Sequence, residues 1–214
     1  MTARPAAGGG RWVDVEPGRL ARWVENFTAR HGPPVAEPTG YGLHLGAPDG
    51  ATAELHTPPG AAAAPDLAGF VAAAGASRRI GLLLARKAAV AVGVADGTRL
   101  IGSKVDTSYV QSRTAAGGWS QQRFARRRDN QAKAAAAGAS DIAVRLLLPA
   151  AGTMSALVCG GDRRTVDTIL DDRRLAPLLP LRAERLLDVP EPRHAVLVEA
   201  VAAARAVRVL VRDP

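Results

Sequence analysis

Apolar residues recur along this chain with two different periods, and the alternation between them lays out the elements. In "EPGRLARWVENFTA", residues 16–29, Leu20, Trp23, Val24 and Phe27 stand three and four apart. That spacing predicts an amphipathic helix with one buried face. In "YGLHLGAPDGATAELH" the period falls to two on either side of a Pro-Asp-Gly turn, which predicts a hairpin. Asp66 is placed to cap a short helix, "DLAGFVAAAG". The pattern then changes. "IGLLLAR" is a continuous apolar run and predicts a buried strand. "AAVAVGVA", Asp96–Gly97 and "TRLIGSKV" predict a second hairpin, because Asp-Gly suits the positive φ angles of a type I′ turn.

A polar stretch, "DTSYVQSRTAAGG", follows, and from Trp119 the pattern is helical as far as Leu148, with Ala135, Ala139, Ile142 and Leu146 on one face and Pro149 as the stop. Such a helix would span about 43 Å, and Gly138 is where it could kink. Beyond it come a buried strand, "MSALVC", and a Gly-Gly turn with Asp162 as N-cap of "RRTVDTILDD". A strand near Leu178–Leu187, a helix in "EPRHAVLVEAVAAARA" and a last strand, "VRVLVR", complete the chain. Strands and helices alternate without internal repeat. The expected fold class is α/β: a mixed β-sheet covered by helices, with a small α+β extension before it. The expected division is a disordered Gly/Ala/Pro tail over residues 1–11, the extension over 12–75, and the main domain over 76–214.

Composition narrows the chemistry. The 214 residues are 47% hydrophobic but only 4% aromatic, so the core is aliphatic. The net charge of +8 favours polyanionic partners. One cysteine, Cys159, excludes an internal disulfide and a Cys-rich zinc site, and it is expected in the core. The four histidines, His31, His44, His56 and His194, share no metal-ligand spacing. No metal or other cofactor is expected. The N-terminus lacks the apolar segment of a signal peptide and no apolar run approaches the roughly 20 residues of a membrane helix, so a cytoplasmic protein with no membrane partner is expected. No G-x-S-x-G elbow is present, and "CGGDRRT" lacks the Walker lysine, which makes it a strand-to-helix turn with structural glycines.

The unusual segment is "TAAGGWSQQRFARRRDNQ". On a helix following the glycines, Arg123, Arg126, Arg127, Asn130 and Lys133 fall on one face about 120° wide, opposite Ala125, Ala132 and Ala136. Arg113 precedes the glycines. A face of nearly one sign, with little acid to neutralise it, suits phosphates. Gly117 and Gly118 allow backbone conformations that a side chain would hinder. Ser120 is a candidate N-cap, which leaves Gln121 and Gln122 in a first turn whose free N–H groups suit an anion or a developing oxyanion.

The block "GGWSQQRFARRRDNQ", with "VGVADGTRLIGSKVDTSYVQSRTAAGG" before it and "LVCGGDRRTVDTILDDRRL" after it, resembles the actinobacterial release-factor-like peptidyl-tRNA hydrolases. Those are relatives of the Vms-type hydrolases of eukaryotic ribosome quality control and resemble the catalytic middle domain of eukaryotic class-one release factors. The resemblance covers residues 78–214. It implies that Gly118, Trp119, Ser120 and Gln121 form the family's Gly-x-x-Gln site, with Gly117 and Gln122 beside it. It implies hydrolysis of peptidyl-tRNA on the large ribosomal subunit by a monomer, with Arg113, Arg123, Arg126, Arg127 and Lys133 on rRNA or tRNA phosphates. The chain carries no zinc finger, ankyrin repeats or codon-reading domain, so the implied role is codon-independent rescue. Two other readings stay open: a nuclease cutting tRNA near its 3′ end, and a non-catalytic ribosome-binding protein. Residues 12–75 match no release-factor domain.

Overall fold

The structure is a computed structural model and describes residues 3–86, 89–107 and 135–214. It consists of two compact units, Met1–Arg78 with Ala202–Pro214, and Arg79–Val201.

In the first unit, strands β1 (Ala3–Pro5), β2 (Arg11–Val15), β3 (Val35–Thr39), β4 (Gly42–Gly46), β5 (Thr52–His56) and β11 (Val207–Arg212) form one sheet in the order β1-β2-β11-β5-β4-β3. Every neighbouring pair is antiparallel. Burial alternates along β4 and β5, so Leu43, Leu45, Ala53 and Leu55 turn inward. They share a core with Val13, Val15, Val207, Val209 and Val211 and with Leu20, Phe27 and Phe70 of helices α1 (Leu20–His31) and α2 (Leu67–Gly75). A sheet with helices on one face needs only one apolar row per strand, which is why period two is visible in the sequence. Asp66 caps α2 as expected, accepting a hydrogen bond from the Gly69 amide at 2.7 Å.

Three features of this unit differ from the sequence expectation. The region expected as a tail holds β1, paired with β2 from Ala3↔Val13 to Pro5↔Arg11. Main-chain pairing needs no apolar side chains, so composition does not reveal it. β3 was not expected either. Its sequence, "VAEPT", lacks alternation, and it lies at a sheet edge where Pro38 costs no ladder bond. Most consequential is "VRVLVR", expected with the second region. As β11 it runs between β2 and β5, with Val209 opposite Val13 on one side and Leu55 on the other.

The second unit is the mixed, helix-covered sheet that the alternation implied. Strands β6 (Arg79–Arg86), β7 (Ala89–Asp96), β8 (Arg99–Thr107), β9 (Ala156–Gly161) and β10 (Arg182–Leu187) lie in the order β10-β9-β6-β7-β8. β6, β7 and β8 are antiparallel neighbours, while β9 runs parallel to β6 and to β10. The β7–β8 turn is one residue later than the Asp-Gly pair suggested. Asp96 pairs with Arg99, and the two turn residues are Gly97, at φ 58°, and Thr98. β6, β7 and β9 are buried almost throughout, because both faces are covered. Helix α3, described over residues 135–147, and α4 (Arg163–Leu170) pack on one face; Ala139, Ile142, Ala143 and Leu147 meet Leu83, Val92, Leu157, Cys159, Val166 and Ile169 there. Helix α5 (His194–Arg205) meets the other face: a Cβ on Gly93 would lie 3.1 Å from Leu197. A 3₁₀ segment, Arg173–Leu181, replaces the start of the strand expected from Leu178. Pro177 and Pro180 stand in it, and neither can donate to a ladder.

Candidate functional site

The residues singled out in the sequence, Arg113, Gly117, Gly118, Gln121, Gln122, Arg123, Arg126, Arg127 and Lys133, lie outside the described residues. So does the expected helical stretch from Trp119 to Ala134. What the structure supplies is the frame that carries this segment on both sides.

β8 runs antiparallel to β7, and β7 antiparallel to β6, so β8 shares the direction of β6, β9 and β10. The carboxyl ends of these four strands, Arg86, Thr107, Gly161 and Leu187, therefore share one edge of the sheet. The register agrees, since Ala89 pairs with Arg86 on one side and with Thr107 on the other. Helix α3 returns along the sheet. Its far end is fixed by Leu147, which would lie 3.2 Å from a Cβ on Gly81, near the amino end of β6. Residue 135 consequently points toward the carboxyl edge. Both described flanks of the 108–134 segment thus face the edge at which open α/β sheets place their ligands.

Small residues hold α3 in this position. Ala139 and Ala143 allow a close approach to the sheet, and Ser140 accounts for its buried hydroxyl with Ala136 O and Ile169 O, both at 3.0 Å. On the outer side Asp141 accepts from Arg174 Nη2 at 2.8 Å, which ties α3 to the segment after α4. Arg174 also bonds Asp172 and holds that carboxyl down at about 2.

The same edge carries positive charge. Arg86 at the end of β6 donates to Val189 O at 2.6 Å and lies 3.7 Å from Asp188. Arg163 and Arg164 are exposed in the first turn of α4. Asp162 caps that helix, accepting from Thr165 N at 2.8 Å, and the bond holds its carboxyl below the ordinary range. The "CGGDRRT" stretch is therefore the expected strand-to-helix turn. A Cβ on Gly161, at φ 93°, would lie 2.2 Å from Ala85 O, so the glycine is required by packing. Cys159 is buried as expected, and burial pushes its thiol up to about 11. Among the described residues no group of three or more His, Cys, Asp or Glu could hold a metal ion, and no helix is long and apolar enough to cross a membrane.

Residues 78–210 match the pattern of a protein family, the Actinobacteria/chloroflexi VLRF1 release factors. The chain belongs to that family. The match includes the whole second unit, the 108–134 segment with its Gly-x-x-Gln, and the chain as far as Leu210 in β11. Membership makes it a release-factor protein of translation, and residues 12–75 stand outside the matched span. No curated protein matches the chain. Similar solved structures include a crystal structure of the archaeal translation termination factor aRF1. It is 16% identical over 89% of this chain and 70% of that one, with a TM-score of 0.42. An archaeal protein is 14% identical over 90% of this chain and 74% of its own, with a TM-score of 0.40. Neither bears on how this chain works.

The sequence had no means of indicating Arg86 as a neighbour of Gly161. The two meet only because β6 and β9 are parallel partners separated by more than sixty residues.

Proposed function

We propose that this VLRF1-family protein is a cytoplasmic, monomeric peptidyl-tRNA hydrolase that frees nascent peptides from stalled ribosomes without reading a stop codon. One observation carries the proposal: the family match runs through Gly118-Trp119-Ser120-Gln121 and the arginines after it. Peptidyl-tRNA holds its peptide through an ester to the terminal ribose. Its hydrolysis requires a water placed against the ester carbonyl and support for the oxyanion that forms.

The Gln121 side chain neither gives nor takes protons at neutral pH, yet its amide can hold that water, and positioning alone lowers a barrier by several kcal/mol. A backbone N–H beside Gln121 is a suitable oxyanion donor. Gly117 and Gly118 let the segment enter a narrow channel. Arg113, Arg123, Arg126, Arg127 and Lys133 contact rRNA or tRNA phosphates, while Gln122, about 100° round a helix from Gln121, stands beside the reacting centre. The carboxyl edge of the second sheet, with Arg86, Arg163 and Arg164, supports this reading as a rigid base beneath the segment.

The test is incubation with ribosome-bound peptidyl-tRNA and analysis of both products. Free peptide should appear with tRNA that a synthetase can recharge directly. Gln121→Ala should lower release by about 100-fold or more, the scale of a lost catalytic positioning group, with ribosome binding retained. A shortened tRNA would instead identify a nuclease, and full function in Gln121→Ala would identify a binder.

A further inference from the structure

The first unit contains a cleft that peptide release does not use. Helix α1 sets Trp23, Phe27 and His31 four residues apart on one face. Trp23 and Phe27 stack with centroids 5.6 Å apart and planes inclined by 19°, and Phe27 meets His31 at 4.8 Å. Asn26 and Arg30 form the next row, and Arg11 of β2 faces them across a floor of Val13 and Val211. The space enclosed is about 230 Å³. That is below the roughly 300 Å³ at which closed small-molecule sites begin, and the cleft is half open to solvent, so a ligand seated in it lies partly outside.

Its polar groups are arranged for an anion. His31 has a side chain only 7% exposed, and its Nδ1 donates to Asp49 Oδ2 at 2.8 Å. Asp49 is itself fixed by the Ala51 amide at 3.0 Å. With Nδ1 committed, Nε2 is the ring nitrogen left for a ligand. Arg30 has no ion-pair partner among the described residues. A carboxylate of the chain already samples this environment. Asp213 pairs with Arg11, including an Nη2–Oδ1 contact of 3.3 Å. Its carboxyl is held below the ordinary range first by the Arg11 hydrogen bond and then by the charges of Arg11, His31 and Arg30. Arg11, the side chain that pairs with this carboxylate, lines the cleft together with two further basic side chains, Arg30 and His31. That carboxylate is 52% exposed, so it binds weakly and can be displaced.

We propose that this cleft binds a nucleotide, whose phosphate replaces Asp213 on Arg11 and is met by Arg30 and His31 while its base packs against the Trp23–Phe27 pair. Asn26 offers amide donors and an acceptor to the base edge. Guanidinium groups beside an aromatic ring form the combination that holds single nucleotides through phosphate and base together. The shared chemistry is a nucleoside phosphate, either free in solution or one residue of single-stranded RNA. The cleft shares no residue with Gly118–Gln121, so this inference stands apart from ester hydrolysis.

The full chain is titrated at low salt with AMP, adenosine, inorganic phosphate and a single-stranded tetraribonucleotide, following tryptophan fluorescence and heat. AMP should bind about tenfold more tightly than adenosine or phosphate alone. Arg30→Gln, at an exposed position, should weaken AMP about tenfold. Asp213→Asn should tighten it, because the competing carboxylate is gone, an outcome that a purely structural Asp213–Arg11 pair does not produce. A tetranucleotide that binds more tightly than AMP identifies RNA as the source, and equal affinities identify the free nucleotide; both support the site provided Arg30→Gln weakens them. Absence of millimolar binding by AMP and by the tetranucleotide overturns the proposal. So does binding that is indifferent to both substitutions, which would belong to the arginines after Gln122.

Discussion

The two sheets solve the same problem in opposite ways. In the first, β2, β4 and β5 turn one side inward with alternating burial, and a strand from the far end of the chain runs through the middle. In the second, β6, β7 and β9 are buried on both sides, and the antiparallel half is built from consecutive strands. The first core must therefore wait for β11 to pair with β2, some 190 residues away, and pays the closure entropy of that contact. The second gains its β6–β7–β8 ladder from local pairing. All five strands of the second sheet, including those that flank residues 108–134, come from outside residues 1–78.

The largest effect should come from deleting residues 207–214. Val207, Val209, Leu210 and Val211 are all buried, and at about 1.5–3 kcal/mol each their loss approaches the whole stability of a domain. Amide protection in β2 and β5 should collapse while β6, β7 and β9 keep theirs, as read by hydrogen exchange. Protection surviving in β2 and β5 would break the comparison.

Glycines give the next contrast. Gly161→Val forces a β-branched residue to φ 93° with its Cβ 2.2 Å from Ala85 O, and should cost the second unit about 2–4 kcal/mol. Gly46→Ala in β4 meets nothing within 4 Å and should change stability by less than about 0.5 kcal/mol. Urea unfolding of the two variants measures both.

The smallest effect sharpens what the units share. Asp66→Ala and Asp162→Ala each remove a helix cap and should each cost about 1 kcal/mol at neutral pH. The Thr165 amide depresses the Asp162 carboxyl, so its contribution is present above the ordinary carboxylate value of about 4 and is lost as pH falls through the lower folded value. The gap between Asp162→Ala and the parent protein should therefore narrow in urea titrations carried below about pH 4.

Much of the fold was legible because its signals are short-ranged. Asp66 and Asp162 act as the caps their positions promised, and Pro149 follows the last residue of α3 by two. The β4–β5 and β7–β8 hairpins form where turn residues separate apolar runs. The misread elements lacked such signals. β1 and β3 are edge strands held by main-chain bonds, and nothing in "ARP" or "VAEPT" announces them. The nucleotide cleft was illegible for another reason: Arg11, Arg30, Asp49 and Asp213 stand far apart in the chain, and each alone resembles a surface charge.

By itself, the sequence determined the kinds of most elements, the caps at Asp66 and Asp162, the approximate place of the two hairpin turns, and the Gly-x-x-Gln block with its run of arginines, because residue periodicity, N-cap oxygens and local φ preferences act within a few residues. Only the tertiary structure decided that "VRVLVR" completes the first sheet rather than the second, that four strand ends share the edge flanking residues 108–134, and that His31 meets Asp49 while Asp213 reaches Arg11. An apolar strand can pair with any exposed ladder, and a charge with any opposite charge. The choice among partners is made by which arrangement buries all the apolar rows at once, and that is a property of the whole chain.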